Sequence, residues 1–263
     1  MTYIFLFFSA FIAWLVGTIT AGGAAIIFLL MLSLFLPMTV VPILISFVGT
    51  FAGVYRTILF RKNIYWPILK WLLPGTIIGS CLGATLFAVL ITRSELMLLE
   101  FLLSFVLFSS GILGLTRVNN KTTVNTKTWL FLPFGCLISM LSGVIGAAPP
   151  IVNVLYQKFR LTPTQLVGTK SINLFTLQLT KSIIYIIFIF ISHRTHAHVF
   201  SGIKSLQDFM LLSLIAGLGA AFGISFGKRI LAKINMDFFR KLINSMLILF
   251  GCYFLILALV KAT

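Results

Sequence analysis

Two lysines interrupt an apolar run in the segment Gly168-Thr169-Lys170-Ser171-Ile172-Asn173-Leu174-Phe175-Thr176-Leu177-Gln178-Leu179-Thr180-Lys181. At helical spacing Lys170, Asn173, Leu177 and Lys181 fall on one face. A cation held among hydrocarbon is costly unless it faces a cavity or a partner. Lys170, Asn173, Gln178 and Lys181 are therefore candidates for binding a negatively charged ligand. The alternative for Lys170 is snorkelling to the nearer surface; Lys181 is several turns from either surface.

Two clusters of small residues offer the complementary chemistry. The first reads Gly17-Thr18-Ile19-Thr20-Ala21-Gly22-Gly23-Ala24-Ala25, and the second Ser142-Gly143-Val144-Ile145-Gly146-Ala147-Ala148-Pro149-Pro150. Glycine admits positive φ and close approach, while the proline pair ends one helix and opens the next. The N–H groups freed at a new helix N-terminus, aided by the helix dipole, form an anion site without any charged side chain. The candidate ligands are Thr18, Thr20, Ala21, Gly22 and Gly23 at the first cluster. At the second they are Ser142, Gly143, Gly146, Ala147, Ala148 and Pro149. The competing reading is that small residues only let membrane helices pack closely; two clusters at matching places of a repeat favour the site.

The remaining chemistry-bearing residues narrow the ligand. Glu95, Glu100, Asp208 and Asp237 all fall near the ends of apolar runs, so no carboxylate marks a cation or proton path at mid-membrane. His193, His196 and His198 form a polar stretch that would bind a transition metal weakly. Cys81, Cys136 and Cys252 stand singly with no metal-binding spacing. No metal site or cofactor is expected, and no metalloprotease motif, nucleophile–base pair or phosphate loop suggests an enzyme.

The elements that must position these residues are membrane helices. Of 263 residues 60% are hydrophobic and 9% charged, and apolar runs near membrane-spanning length recur from end to end. The runs lack the alternation of barrel strands, so the expected fold is all-α and polytopic. The first helix has no basic residue before it and no small-residue cleavage site after it, so it is read as retained. Trp14, Trp66, Trp71 and Trp129 include interface anchors.

An internal repeat orders the runs. Gly17 aligns with Gly143, Ala21 with Ala147 and Pro37 with Pro163, and further on Gly79 and Gly83 align with Gly219 and Gly223. Each half reads as a broken segment followed by three spans: 3–36 then 38–60, 66–91 and 95–116, and 129–158 then 163–192, 206–227 and 238–260. Residues 1–118 form the first membrane repeat, 119–128 a cytoplasmic linker and 129–263 the second repeat.

The formal charge of +16 points to nucleic acid in a soluble protein, but here the distribution of Lys and Arg across the membrane accounts for it. If each broken segment crosses once, the loop Lys and Arg divide ten to eight between the faces. If each turns back as a hairpin, one face holds Arg56, Arg61, Lys62, Lys70, Arg117, Lys121, Lys127, Lys158, Arg160, Lys228, Arg229, Lys233, Arg240 and Lys241. The other then holds only Arg93, Arg194, Lys204 and Lys261, a split of fourteen to four. The hairpin topology satisfies the positive-inside rule, inverts the two halves and puts both termini outside.

On these motifs the sequence resembles the sulfite exporter TauE/SafE family. The resemblance rests on Gly17 to Gly23 followed by Leu36-Pro37-Met38, on Pro74-Gly75-Thr76-Ile77-Ile78-Gly79-Ser80-Cys81-Leu82-Gly83, and on Gly143 to Pro150. It continues through Leu161-Thr162-Pro163, Gly168-Thr169, Gly219 and Gly223, over nearly the whole chain. Ala24, Ala147 and Ala148 stand where that family typically has glycine. The resemblance implies a permease of small sulfur-containing anions such as sulfite, sulfonates or sulfoacetate in the bacterial inner membrane. The expected partners are a small anion and the lipid bilayer, with no nucleic acid, and a homodimer is left open. The alternative reading is a divalent metal-ion permease that uses the histidine-rich loop.

Overall fold

A computed structural model describes residues 2–19, 22–37, 39–92, 127–146, 161–194 and 206–231, together with the single positions 105, 112, 156, 159, 245, 248, 252 and 256. Seven α-helices lie in the described stretches: α1 Thr2–Ile19, α2 Ala24–Ser33, α3 Val41–Phe60, α4 Trp66–Thr92, α5 Phe131–Ile145, α6 Pro163–Arg194 and α7 Leu206–Ile230. Five helical stretches are long and apolar enough to cross a membrane: Val41–Asn63, Trp66–Ile91, Thr128–Ile145, Thr164–Phe190 and Gln207–Ile230. No strand occurs among the described residues. The expected spans 95–116 and 238–260, the linker 119–128 and the Pro149-Pro150 pair fall mainly or wholly outside them.

The helices begin and end where local chemistry changes. Pro42 at the start of α3 has a fixed φ suited to a first turn, where its missing N–H costs nothing. Between α1 and α2 the chain turns through Gly23 at φ 86°, a conformation that side chains disfavour. The Gly22 N–H bonds the Gly17 carbonyl at 2.9 Å within that turn. α2 then runs back along α1, with Trp14 edge-on to Phe28 at 5.1 Å and Phe5 against Phe35 at 4.3 Å.

Packing pairs helices from opposite halves of the sequence. Gly79 and Gly83 on α4 lie against the backbone of Cys136 and Met140 on α5, and Gly219 and Gly223 on α7 lie against that of Phe7 and Phe11 on α1. The residue numbers rise together in both pairs, so each pair is parallel. Positions 79 and 83 relate to 136 and 140 as 219 and 223 relate to 7 and 11, so the two contacts share one pattern. Where Gly83 meets Gly143, a Cβ on Gly143 would lie 2.5 to 2.6 Å from the Gly83 and Ala84 backbone, so only hydrogen fits. Between these pairs α3 and α6 run antiparallel, with Gly53 on Phe175 and Phe60 on Gly168.

Lipid tails are as apolar as leucine, so this close backbone contact rather than hydrophobic burial holds the helices together. The outward faces agree: Ile78, Leu82 and Leu86 on α4, and Leu214, Leu218, Phe222 and Phe226 on α7, are exposed at helical spacing. Trp66, Trp71 and Trp129 are also exposed, as suits interface anchors. Trp14 corrects that expectation, because it is 1% exposed and belongs to the core between α1 and α2.

One end of the bundle gathers basic residues. The Lys228 Nζ at the end of α7 donates to the Leu59 carbonyl at the end of α3, at 3.3 Å, and lies over the Phe60 ring. At the same end α6 begins, with Gly168 against the carbonyls of Phe60 and Asn63 and the Thr169 hydroxyl accepting from the Tyr65 N–H. α5 starts there too, where Phe131 packs with Ile68, Leu69 and Leu72. Arg61, Lys62, Lys70, Lys127, Lys228 and Arg229 are exposed at this end. Arg56 departs from the expected loop position, since it lies in α3 and is 2% exposed.

In a cysteine-free background, K62C and K228C are expected to react with an impermeant thiol reagent from the same side of the membrane; labelling from opposite sides would contradict this packing. Gly83→Val should lower stability by about 1–3 kcal/mol by overpacking the α4 and α5 backbones. Leu82→Val on the lipid face should stay within about 0.5 kcal/mol. Thermal melts of the detergent-purified protein read both.

Candidate functional site

An α-helix leaves its last carbonyls without intrahelical partners, and in lipid no water takes them. α5 ends at Ile145 with Gly146 in the left-handed region at φ 94°, and the Gly146 N–H closes back on the Ser142 carbonyl at 2.9 Å. The carbonyls left exposed by this ending are met from α6. The Lys181 Nζ donates to the Gly146 carbonyl at 3.1 Å, and the Tyr185 hydroxyl donates to the Gly143 carbonyl at 2.8 Å. Both side chains are fully buried, and the Tyr185 ring stacks near Phe87 at 5.4 Å.

The end of α1 is met in the same way from α3. The Arg56 Nη2 donates to the Gly17 carbonyl at 3.3 Å, across a contact so close that a Cβ on Gly17 would collide with Ala24. In each half, then, a cation from the long helix that follows a small-residue junction holds a glycine carbonyl at the C-terminal end of the helix that precedes it. The negative end of each helix dipole favours this placement. Neither cation is neutralised by a carboxylate among the described residues, where Asp208 is the acid and sits in the first turn of α7.

Several buried polar atoms near these junctions have no hydrogen-bond partner among the described residues. They are Ser142 Oγ beside Gly143, Arg56 Nε, the neighbouring Thr57 Oγ1 and Gln178 Oε1. Leaving such a group unpaired costs about 1–3 kcal/mol. Lys181, with three donors, uses one on Gly146 and retains others for a ligand. Gln178 Oε1 is an acceptor, but the hydroxyls, the Arg56 Nε and the positive charge, enclosed in protein with no carboxylate partner among the described residues, suit a small anion.

The expected site residues separate into three levels along the bundle. Lys181, Ser142, Gly143 and Gly146 meet near the start of α3, where Gly146 faces Pro42. Gln178 lies mid-bundle against Gly49. Towards the basic end stand Lys170, whose Nζ lies 5.2 Å from the centre of the Tyr156 ring, and Asn173, whose Oδ1 accepts from the Thr76 hydroxyl at 2.6 Å. Gly22 and Gly23 are at the α1–α2 turn, on a level with Arg56. Pro42 and Arg56 are separated by roughly 21 Å of α3 at about 1.5 Å per residue, so the two junctions do not converge on one point.

Some of the expected donors are already used. The Thr18 hydroxyl donates to the Trp14 carbonyl at 2.7 Å within its own helix, and the Gly22 N–H is taken by Gly17. Thr20, Ala21, Ala147, Ala148 and Pro149 lie outside the described residues. Of the histidines, His193 belongs to the last turn of α6 rather than to a loop, and His196 and His198 lie outside the described residues. Among the described residues no group of three or more His, Cys, Asp or Glu could hold a metal ion.

Sequence reasoning missed Arg56, Tyr185 and Thr57. A signal existed for Arg56, because it falls inside the predicted span 38–60, yet it was counted with the loop charges. Tyr185 and Thr57 carried none, since one more aromatic or hydroxyl in an apolar helix is ordinary.

The fold defines a multi-pass helical membrane protein with buried cations at helix ends, an arrangement suited to moving a charged solute. A comparison with known protein families matches residues 6–254 to the family Sulfite exporter TauE/SafE. The match covers nearly the whole chain, and the protein belongs to that family of membrane transporters. No curated protein and no solved structure matches it.

Tyr185→Phe is expected to lower stability by about 0.5–1.5 kcal/mol, because the Gly143 carbonyl loses a buried donor while the ring packing is kept. A thermal melt of the variant in detergent measures the loss; an unchanged melting temperature would show that this carbonyl is satisfied elsewhere.

Proposed function

We propose that the protein is a secondary transporter of small sulfur-containing anions such as sulfite, sulfonates or sulfoacetate, working by alternating access between its two halves. The observation that carries this reading is the pair of buried cations, Lys181 and Arg56, each held on a glycine carbonyl at a helix junction with no acidic partner among the described residues. An isolated buried charge costs several kcal/mol, and a bound anion offsets that cost without a permanent salt bridge. With no acidic partner among the described residues, the cations are available to a passing ligand. Family membership supports the substrate class.

In this reading the two halves are inverted repeats, each opening with a re-entrant hairpin. Three features support it: α2 folding back on α1, the shared contact pattern of α4 on α5 and α7 on α1, and the meeting of Lys228 with Leu59 at one end. The basic end is then cytoplasmic by the positive-inside rule, and both termini are external in the inner membrane. Rocking of one half against the other about the α3 and α6 interface exposes the junctions in turn. Ser142 Oγ and the spare donors of Lys181 bind the anion on the external side, and Lys170, Asn173 and Gln178 line its path.

Proteoliposomes containing the purified protein should take up labelled sulfite, and Lys181→Met should reduce the initial rate by about tenfold or more, the expected loss of one charge-assisted contact in a dry site. Wild-type vesicles that move neither sulfite nor a sulfonate faster than empty ones would overturn the assignment.

A further inference from the structure

The α1–α2 turn has a ligand of its own that the sequence did not single out. Arg56 is 2% exposed, one of its nitrogens holds the Gly17 carbonyl at 3.3 Å, and its Nε has no partner among the described residues. Next to it on α3 the Thr57 hydroxyl is also buried without a partner. A planar guanidinium presents five N–H donors in a fork matched to the oxygens of an oxyanion, and here one edge is only partly used.

The surroundings reinforce the demand for negative charge. α6 lies antiparallel to α3 at this level, with Phe175 against Gly53 and Gly168 against Phe60, which brings Lys170 into the same neighbourhood. Arg56 and Lys170 thus both stand towards the basic end, which concentrates positive charge at this level of the bundle. Lys181, by contrast, is at the other end of α3, beside Gly146 and Pro42.

We propose that Arg56 is the cationic ligand of a second oxyanion subsite at the α1–α2 turn, separate from the one at Lys181, so that the chain holds two anions along its path. The proposal rests on the transporter reading above and deepens it. An anion released from one junction is received at the other, and occupation of one subsite favours exit from the opposite one by charge repulsion. Arg56 therefore has two roles, closing the end of α1 through Gly17 and binding the passing anion through its remaining donors.

The test is equilibrium binding of labelled sulfite to the full-length detergent-purified protein, with wild type, R56Q, R56K and K181M compared. The wild type should bind two sulfites per chain. R56Q should lose one of them, with affinity at that subsite falling about tenfold or more, and K181M should lose the other. R56K should restore binding at the first subsite at least in part, because it keeps the charge. A melt of each variant without sulfite reports folding. Should R56Q fail to fold, the protein with Trp66, Trp71 and Trp129 replaced by Phe gives an independent reading. Its remaining Trp14, one turn from Gly17, should change emission on the binding step that K181M leaves intact. One sulfite per chain, lost in K181M and unaltered in R56Q, overturns the Arg56 subsite and leaves the transporter reading standing. No sulfite binding by the wild type overturns the subsite and leaves the transporter reading to the vesicle assay with sulfonates.

Discussion

Hydrocarbon supplies no hydrogen bonds, and a helix that stops short inside it leaves carbonyls that something in the protein must satisfy. α1 and α5 both stop this way, one at a glycine-rich turn and the other at a left-handed glycine. Besides the Gly22 and Gly146 N–H groups of the turns themselves, the side chains that meet their carbonyls come from α3 and α6, and two of these three are cations. Once Arg56 and Lys181 are committed to those carbonyls, positive charge is fixed deep in the protein at two places.

The same constraint explains why the packing crosses between halves. A lipid-embedded helix gains little from burying leucine, so its best partner is one whose backbone it can approach closely. Gly79 and Gly83 offer that surface to α5, and Gly219 and Gly223 offer it to α1. Each short helix is thereby braced against a long helix of the other half, while its end is held by the long helix of its own half.

The separation of the two junctions along α3 changes the picture drawn from sequence, in which both small-residue clusters cradle one anion. Lys181 with Ser142 and Arg56 with the α1–α2 turn form two centres, with Gln178 between them on the face that meets Gly49.

Residue type and order were enough to define an all-helical multi-pass protein and to place the long spans near 38–60, 66–91, 163–192 and 206–227. Both rest on a local property, the length of an apolar run. Arg56 was not legible in the same way, because an arginine one turn from the end of an apolar run reads equally as an interface residue or a buried one. Only the approach of α1 to α3 decides between them. Tyr185 gained meaning only when α6 met the end of α5, and Trp14 lost its expected interfacial place when α2 folded over it. Partnership across the two halves depends on which backbones can touch, and that is a property of surfaces in three dimensions that no spacing along one chain records.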